Sequence, residues 1–162
     1  MLLKEVREDF EKFLSQLITK GRKYYLGRGP RKVVVLIRRN YLIIELQDFL
    51  TLTGWVLLDT ELWGVVEHLE EAVANKYYNL FSKFLEAILD IKVLSHCYTL
   101  ISETKTKSVF FVADRPWEQA EVKIPFQSLD LNTLLERVFF NPKVLPEADK
   151  TNHREQVNSE KI

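Results

Sequence analysis

The chain has 162 residues and a mass of 19.1 kDa, enough for about one domain. Hydrophobic residues make up 46% and charged residues 28%, with 10 Phe, 6 Tyr and 3 Trp, which is the composition of a soluble globular protein. The 5 Gly and 5 Pro exclude a collagen-like chain. The single Cys excludes a disulfide scaffold and any zinc site built from several cysteines.

The formal net charge is zero, yet the charges are segregated along the chain. All charged residues between 20 and 39 are basic: Lys20, Arg22, Lys23, Arg28, Arg31, Lys32, Arg38 and Arg39. All charged residues between 40 and 75 are acidic: Glu45, Asp48, Asp59, Glu61, Glu67, Glu70 and Glu71. Adjacent segments of opposite sign can pair within one fold, within a dimer or against a charged partner.

Targeting signals are absent from the sequence. The N-terminus carries charges where a signal peptide needs an unbroken apolar stretch. The strongest apolar run, at 33–37, is much shorter than the ~20 residues of a membrane-spanning helix. We therefore expect a soluble, cytoplasmic protein without a membrane span.

The first half of the chain predicts a helix followed by a hairpin. Apolar residues recur at three- and four-residue steps over 2–26, which indicates an amphipathic helix. Gly27 and Pro30 would end it. The residues at 32–37 and 41–47 predict two strands joined by a turn, in which Asn40 is a residue that tolerates a positive φ. The first of these strands is apolar on both faces.

The second half repeats this order. Thr51 or Thr53 can cap a short helix, and an apolar stripe that includes Leu69 predicts a long, core-facing helix over 60–89. A second hairpin follows over 92–102 and 107–113. The fold class expected is α+β in two layers: a four-stranded, mainly antiparallel sheet with helices on one face, in the order α-ββ-αα-ββ, and a short C-terminal helix over 130–140.

Three segments are predicted from the composition. Residues 1–116 form a single α+β domain, 117–140 form a C-terminal extension that carries the short amphipathic helix, and 141–162 form a disordered tail. The tail is polar and contains no Phe, Tyr or Trp, so it offers little to a core.

One local motif has the residue types of an anion site. Glycine amides and basic side chains that could meet a phosphate or a charged partner are supplied by Gly27, Arg28, Gly29, Arg31, Lys32, Arg38 and Arg39. The motif is not a Walker loop, because here a helix ends and a strand begins. The alternative interpretation, a helix stop with a connector, explains each glycine and Pro30 without a ligand.

No catalytic signature is present, so we expect a protein that is not an enzyme and binds no cofactor or metal. His68 and Glu71 share a helix face, but no second His joins them. His96 and Cys97 are adjacent in a strand and point to opposite faces, and Cys97 is predicted to be a small core residue. A pI of 6.8 and the acidic segment argue against nucleic acid as a partner.

The stretch Gly27-Arg28-Gly29-Pro30, the strand from Lys32 and the pair Leu50-Thr51 resemble the MpsC-like family, named for a sodium-translocating system that generates membrane potential. The resemblance covers about 5–113 in the order of elements. It implies an accessory role beside a membrane system and a membrane-protein partner. Two departures are Gly54, where the family tends to be acidic, and the lack of arginines at the start of the long helix. A phosphate- or nucleic-acid-binding module using the basic segment is the alternative.

A homodimer is predicted from three features: the long helix overshoots the sheet, the strands are apolar on both faces, and neighbouring segments have opposite charge. Apolar surfaces left uncovered by the fold would exceed what soluble monomers usually expose. The apolar contacts of the dimer would involve the long helix or the open face of the sheet.

Overall fold

A computed structural model of the chain describes residues 1–136 and confirms the predicted order of elements. The predicted tail at 141–162 and the end of the predicted C-terminal helix lie outside the described residues. After a 3-10 turn at Leu3–Glu5, the elements are α1 (Arg7–Leu26), β1 (Lys32–Arg38), β2 (Tyr41–Gln47), α2 (Leu52–Asp59), α3 (Trp63–Ile88), β3 (Val93–Ile101), β4 (Thr106–Ala113) and α4 (Leu131–Leu134).

The four strands form one antiparallel sheet in the order β1-β2-β4-β3. The two hairpins therefore meet through β2 and β4, and β1 and β3 are the edge strands. α1 packs on β1, and α3 packs on β3. The predicted two-layer α+β fold, with its helices on one face of the sheet, is confirmed.

Side chains alternate between a buried and a half-exposed face of the sheet. The face under the helices is closed by Val33, Val35, Ile37, Leu42, Ile44, Leu46, Val109 and Phe111. On the other face the strand registers place Leu36, Ile43, Phe110 and Cys97 in one row. Cys97 is exposed, so the prediction that it is a core residue was wrong. It lies on an edge strand and on the face that the helices leave open.

Local signals set the helix ends where the sequence places them. Gly27 is in the left-handed region at φ 74° and ends α1, a conformation that glycine adopts without strain. The Thr51 hydroxyl accepts a hydrogen bond from the Gly54 amide at 3.1 Å and caps α2. In the first hairpin the residue with a positive φ is Arg39, at 52°, and not its neighbour Asn40.

The rotation of α3 differs from the prediction in its first half. The side chains that face the core there are Val66, Glu70 and Ala74, whereas Leu69 is 44% exposed. The prediction that Leu69 lies in the core was therefore wrong. Apolar residues occupy more than one face of this half of the helix. The face that packs against the core contains Glu70, so the pattern of apolar residues alone does not identify it.

Truncating Leu69 and Leu85 should separate the two faces of α3. We expect Leu85→Ala, at a fully buried position, to lower the free energy of unfolding by about 2–5 kcal/mol because it leaves a cavity. Leu69→Ala should change it by less than about 0.5 kcal/mol, as for surface positions. Urea unfolding of both variants measures the difference. Equal losses of unfolding free energy would show that Leu69 and Leu85 are equally buried, which contradicts the rotation of α3 described above.

Residues after β4 complete the same core. Trp117, Ala120, Phe126, Leu134 and Leu135 are buried in it. The Phe126 ring lies 5.2 Å from the ring of Phe10 on α1, centroid to centroid. The part of the predicted 117–140 extension that the structure describes is therefore packed against the 1–116 domain.

Candidate functional site

The structure separates the seven residues of the predicted basic site into two groups. The group at 27–32 precedes and begins β1, and the other, Arg38 and Arg39, ends β1 and begins the turn. Lys32 and Arg38 are six positions apart on an extended strand, which is about 20 Å. One compact ligand cannot contact both groups, so the seven residues do not form a single pocket.

Several of these residues already have roles within the fold. Arg28 Nη2 lies 3.3 Å from Asp48 Oδ2, and Arg38 Nη1 donates to its neighbour, the Ile37 carbonyl, at 2.8 Å. Gly29 is close to α1, where an added Cβ would lie 3.3 Å from the Thr19 carbonyl oxygen. Arg31 and Lys32 are exposed. Binding of an anion or partner by either group stays a prediction.

A buried ionic cluster, which no local pattern in the sequence predicts, lies between the helices and the sheet. Glu70 of α3 accepts hydrogen bonds from Arg22 of α1, at 3.2 Å, and from the Lys107 ammonium of β4. Lys107 is completely buried, and Glu70 is 4% exposed. Arg22 also donates to the Phe49 carbonyl at 3.2 Å. Three elements are thus joined through one carboxylate.

Electrostatics keep the cluster ionised near neutral pH. Burial alone would raise the pKa of the Glu70 carboxyl, but the charges of Arg22 and Lys107 outweigh burial and hold that pKa below its ordinary value. Burial lowers the pKa of the Lys107 ammonium to about 8, although Glu70 opposes the shift. At pH 7 the cluster holds two positive charges and one negative charge, a net charge of +1.

Two tyrosines enclose the Lys107 ammonium. Its nitrogen lies 5.0 Å from the ring centroid of Tyr78 and 4.8 Å from that of Tyr98, distances at which cation–π attraction operates. Burial, followed by the nearby Glu70 charge, raises the pKa of the Tyr78 hydroxyl. That hydroxyl is therefore a hydrogen-bond donor throughout the physiological range.

An apolar cavity of about 100 Å³ adjoins the cluster, between α1, α3 and the sheet. Arg22 and Tyr78 belong to both the cluster and the cavity wall. The Tyr25 and Tyr77 rings, 5.3 Å apart, also line it. Most of the remaining wall is aliphatic or aromatic: Ile18, Ile44, Val73, Phe81, Val109 and Phe111.

Two polar atoms of the cavity-lining residues form no hydrogen bond within the described part of the chain. They are Arg22 Nε and the Tyr78 hydroxyl oxygen, and both are buried. A buried polar atom without a partner costs about 1–3 kcal/mol. Such atoms are rare in folded proteins, and each one calls for an explanation.

The two histidines of the described part of the chain, His68 and His96, do not assemble a second centre. His68 Nδ1 lies 3.8 Å from Glu71 Oε2, and both side chains are largely exposed. His96 Nε2 lies 3.1 Å from Asn79 Oδ1. Over residues 1–136, no group of three or more His, Cys, Asp or Glu side chains could hold a metal ion. In the same range, no helix combines the length and the apolar character needed to cross a membrane.

One protein family, described as the Na⁺-translocating membrane potential-generating system (MpsC), matches residues 6–115. This match covers more than half of the chain, so the chain belongs to that family. It confirms the predicted family and covers α1 through β4, including all three residues of the ionic cluster. No curated protein and no solved structure matches the chain.

Proposed function

We propose that this member of the MpsC family is a cytoplasmic, non-enzymatic accessory module that works by binding protein partners. The partners proposed are a second copy of the chain and a membrane protein of the sodium-translocating system after which the family is named. The observation that carries this proposal is an exposed apolar stripe along the first half of α3.

The stripe consists of Leu62, Val65, Leu69 and Ala72. Leu62, Val65 and Leu69 are 50%, 48% and 44% exposed. The steps along the stripe are three, four and three residues, the spacing with which one helix packs into another. Leu52 and Val56 of helix α2, which contacts α3, are exposed as well. Contiguous apolar surface of this kind marks protein–protein contacts.

The charges beside the stripe favour a partner with basic side chains. Glu61, Glu67 and Glu71 are exposed, and the chain has no Lys or Arg from 40 to 75. The exposed Arg31 and Lys32 of a second copy have the complementary sign. In a two-fold dimer each copy would provide both surfaces, so both contacts would form twice. An anionic membrane surface, in contrast, would repel these carboxylates.

A membrane-potential measurement in cells tests the proposed function. In cells that lack this chain, we expect the sodium-dependent part of the potential, read with a potential-sensitive dye, to fall, and the wild-type chain to restore it. Leu69→Arg should fail to restore it, because a charge at the centre of the stripe opposes docking. Gln16→Arg, on an exposed position of α1, is the matched control and should restore it. Full restoration by Leu69→Arg would contradict the proposed role of the stripe.

A further inference from the structure

We propose that the outer edge of β3, together with the groove between β3 and α3, binds an extended segment of a partner protein with basic side chains at every second position. The segment would lie beside β3 as an added strand of the sheet. This inference goes beyond the proposed function, because it does not use the stripe on α3. It comes from the juxtaposition of an open strand edge, a groove and two exposed carboxylates.

The outer side of β3 is open. Within residues 1–136 the sheet ends at β3, so no strand of that range pairs with its outer side. Every second residue of such a strand points its N–H and C=O groups away from the sheet, where an added strand can pair with them. β3 is 9 residues long, and its one register irregularity lies at its start, between Val93 and Ser95. The remainder of the strand is a regular template.

The two edges of the sheet differ in their protection against an added strand. Natural edge strands are commonly blocked by charged side chains or by proline. At the other edge, β1 carries Lys32 and Arg38 and begins shortly after Pro30. β3 contains no Lys, Arg, Asp, Glu or Pro, and its apolar residues Leu94 and Ile101 are exposed. β3 is therefore the edge that admits another strand.

A groove of about 380 Å³ lies between β3 and α3. Tyr98 and Leu100 of β3 line one side, and Glu67, His68 and Glu71 of α3 line the other. Both β3 residues are on the face of the sheet that the helices cover. Side chains of an added strand alternate between the two faces, so every second one would point toward this groove. Backbone pairing then provides affinity, and the groove provides selectivity.

The charge of the groove selects basic side chains. Glu67 and Glu71 are exposed and lie one helical turn apart. Among the described residues Glu67 has no ion-pair partner, and Glu71 has only His68, at 3.8 Å. Burial raises the pKa of the Tyr98 hydroxyl, and the nearby glutamate charges, that of Glu71 first, raise it further. Lysine or arginine side chains of an added strand would be attracted here, and acidic ones would be repelled.

Titration of the full chain with synthetic peptides tests the site, with calorimetry and hydrogen exchange of the β3 amides as readouts. The probe is an end-capped peptide of alternating lysine and valine, as long as β3. We expect it to bind and to slow the exchange of the outward-pointing β3 amides, which exchange rapidly in the unbound chain. A peptide with glutamate in place of lysine should bind at least about tenfold more weakly. N-methylation of the lysine–valine peptide keeps its charge but removes its amide donors, so binding should be lost.

Three variants locate the bound peptide. Glu67→Lys should weaken binding of the lysine–valine peptide at least about fivefold. Glu61→Lys makes the same change of charge at an exposed position outside the groove, and it should change the affinity by less than about twofold. Leu69→Ala truncates the stripe and should leave peptide affinity unchanged, so the outcome does not depend on whether the stripe binds a partner.

Five results would overturn the proposal. They are no binding of the lysine–valine peptide, equal binding of the glutamate or the N-methylated peptide, equal effects of Glu67→Lys and Glu61→Lys, a loss of peptide binding in Leu69→Ala, and outward-pointing β3 amides that are already protected in the unbound chain. The last result would show that a second copy or another part of the same chain covers the edge.

Discussion

Replacing Glu70 with leucine should lower the free energy of unfolding by about 3–5 kcal/mol, because it leaves two buried cations without their shared counter-ion. Glu70 is the only carboxylate that contacts both Arg22 and Lys107 within residues 1–136. Leucine fills most of the space of glutamate, so the loss reports on charge more than on packing. Urea unfolding at pH 7 measures it.

A neighbouring glutamate provides the matched control for this substitution. Glu71 lies one position further along α3 and is largely exposed, so Glu71→Leu should change stability by less than about 0.5 kcal/mol. The pH dependence is a second readout. The folded-state pKa of Glu70 is below its ordinary value of 4.5. Its contribution to the free energy of unfolding is therefore fully present above pH 4.5 and is lost as the pH falls through the folded-state pKa. Equal effects of the Glu70 and Glu71 substitutions would contradict a buried cluster.

Replacing Trp117 with alanine should also cost about 3–5 kcal/mol, as for large aromatic residues in a core. Trp117 is completely buried, and its indole Nε1 donates to the Asn40 carbonyl at 2.9 Å. The substitution therefore removes both packing and the hydrogen bond that ties the segment after β4 to the first hairpin. Thermal and urea unfolding measure the loss.

Trp117→Phe is the conservative variant, since it keeps an aromatic ring and removes only the indole donor and part of the bulk. We expect it to cost less than Trp117→Ala. A loss below about 1 kcal/mol for Trp117→Ala would show that the segment after β4 adds little to the core, against the burial seen here.

The sequence predicted those parts of the fold that depend on local signals. Gly27 ends α1 because a left-handed residue is needed there, and Thr51 caps α2 because its hydroxyl can accept an amide proton. The period of two along β2 puts Leu42, Ile44 and Leu46 on one face of the strand, and all three are buried. The rotation of α3 could not be predicted in the same way, because its apolar residues allow two phases and only tertiary packing chooses between them.

The ionic cluster escaped prediction because its members look like surface residues when read one at a time. Arg22 belongs to a run of basic residues, and Glu70 belongs to a run of acidic ones. Arg22 is 48 positions from Glu70 along the chain, and Lys107 is 37 positions from it, so no local spacing connects the three residues. One signal was available: the opposite charge of the two segments, which the Arg22–Glu70 and Arg28–Asp48 pairs satisfy within one fold.

Sedimentation of the purified chain tests whether the stripe on α3 is a protein-binding surface. We expect the wild type at micromolar concentration to sediment as a dimer, at twice 19.1 kDa, and the Leu69→Arg variant as a monomer. Phe110→Arg, on the open face of the sheet, should remain dimeric. A wild-type monomer of 19.1 kDa in both low and high salt, or a dimer that Phe110→Arg separates and Leu69→Arg does not, would contradict this role of the stripe.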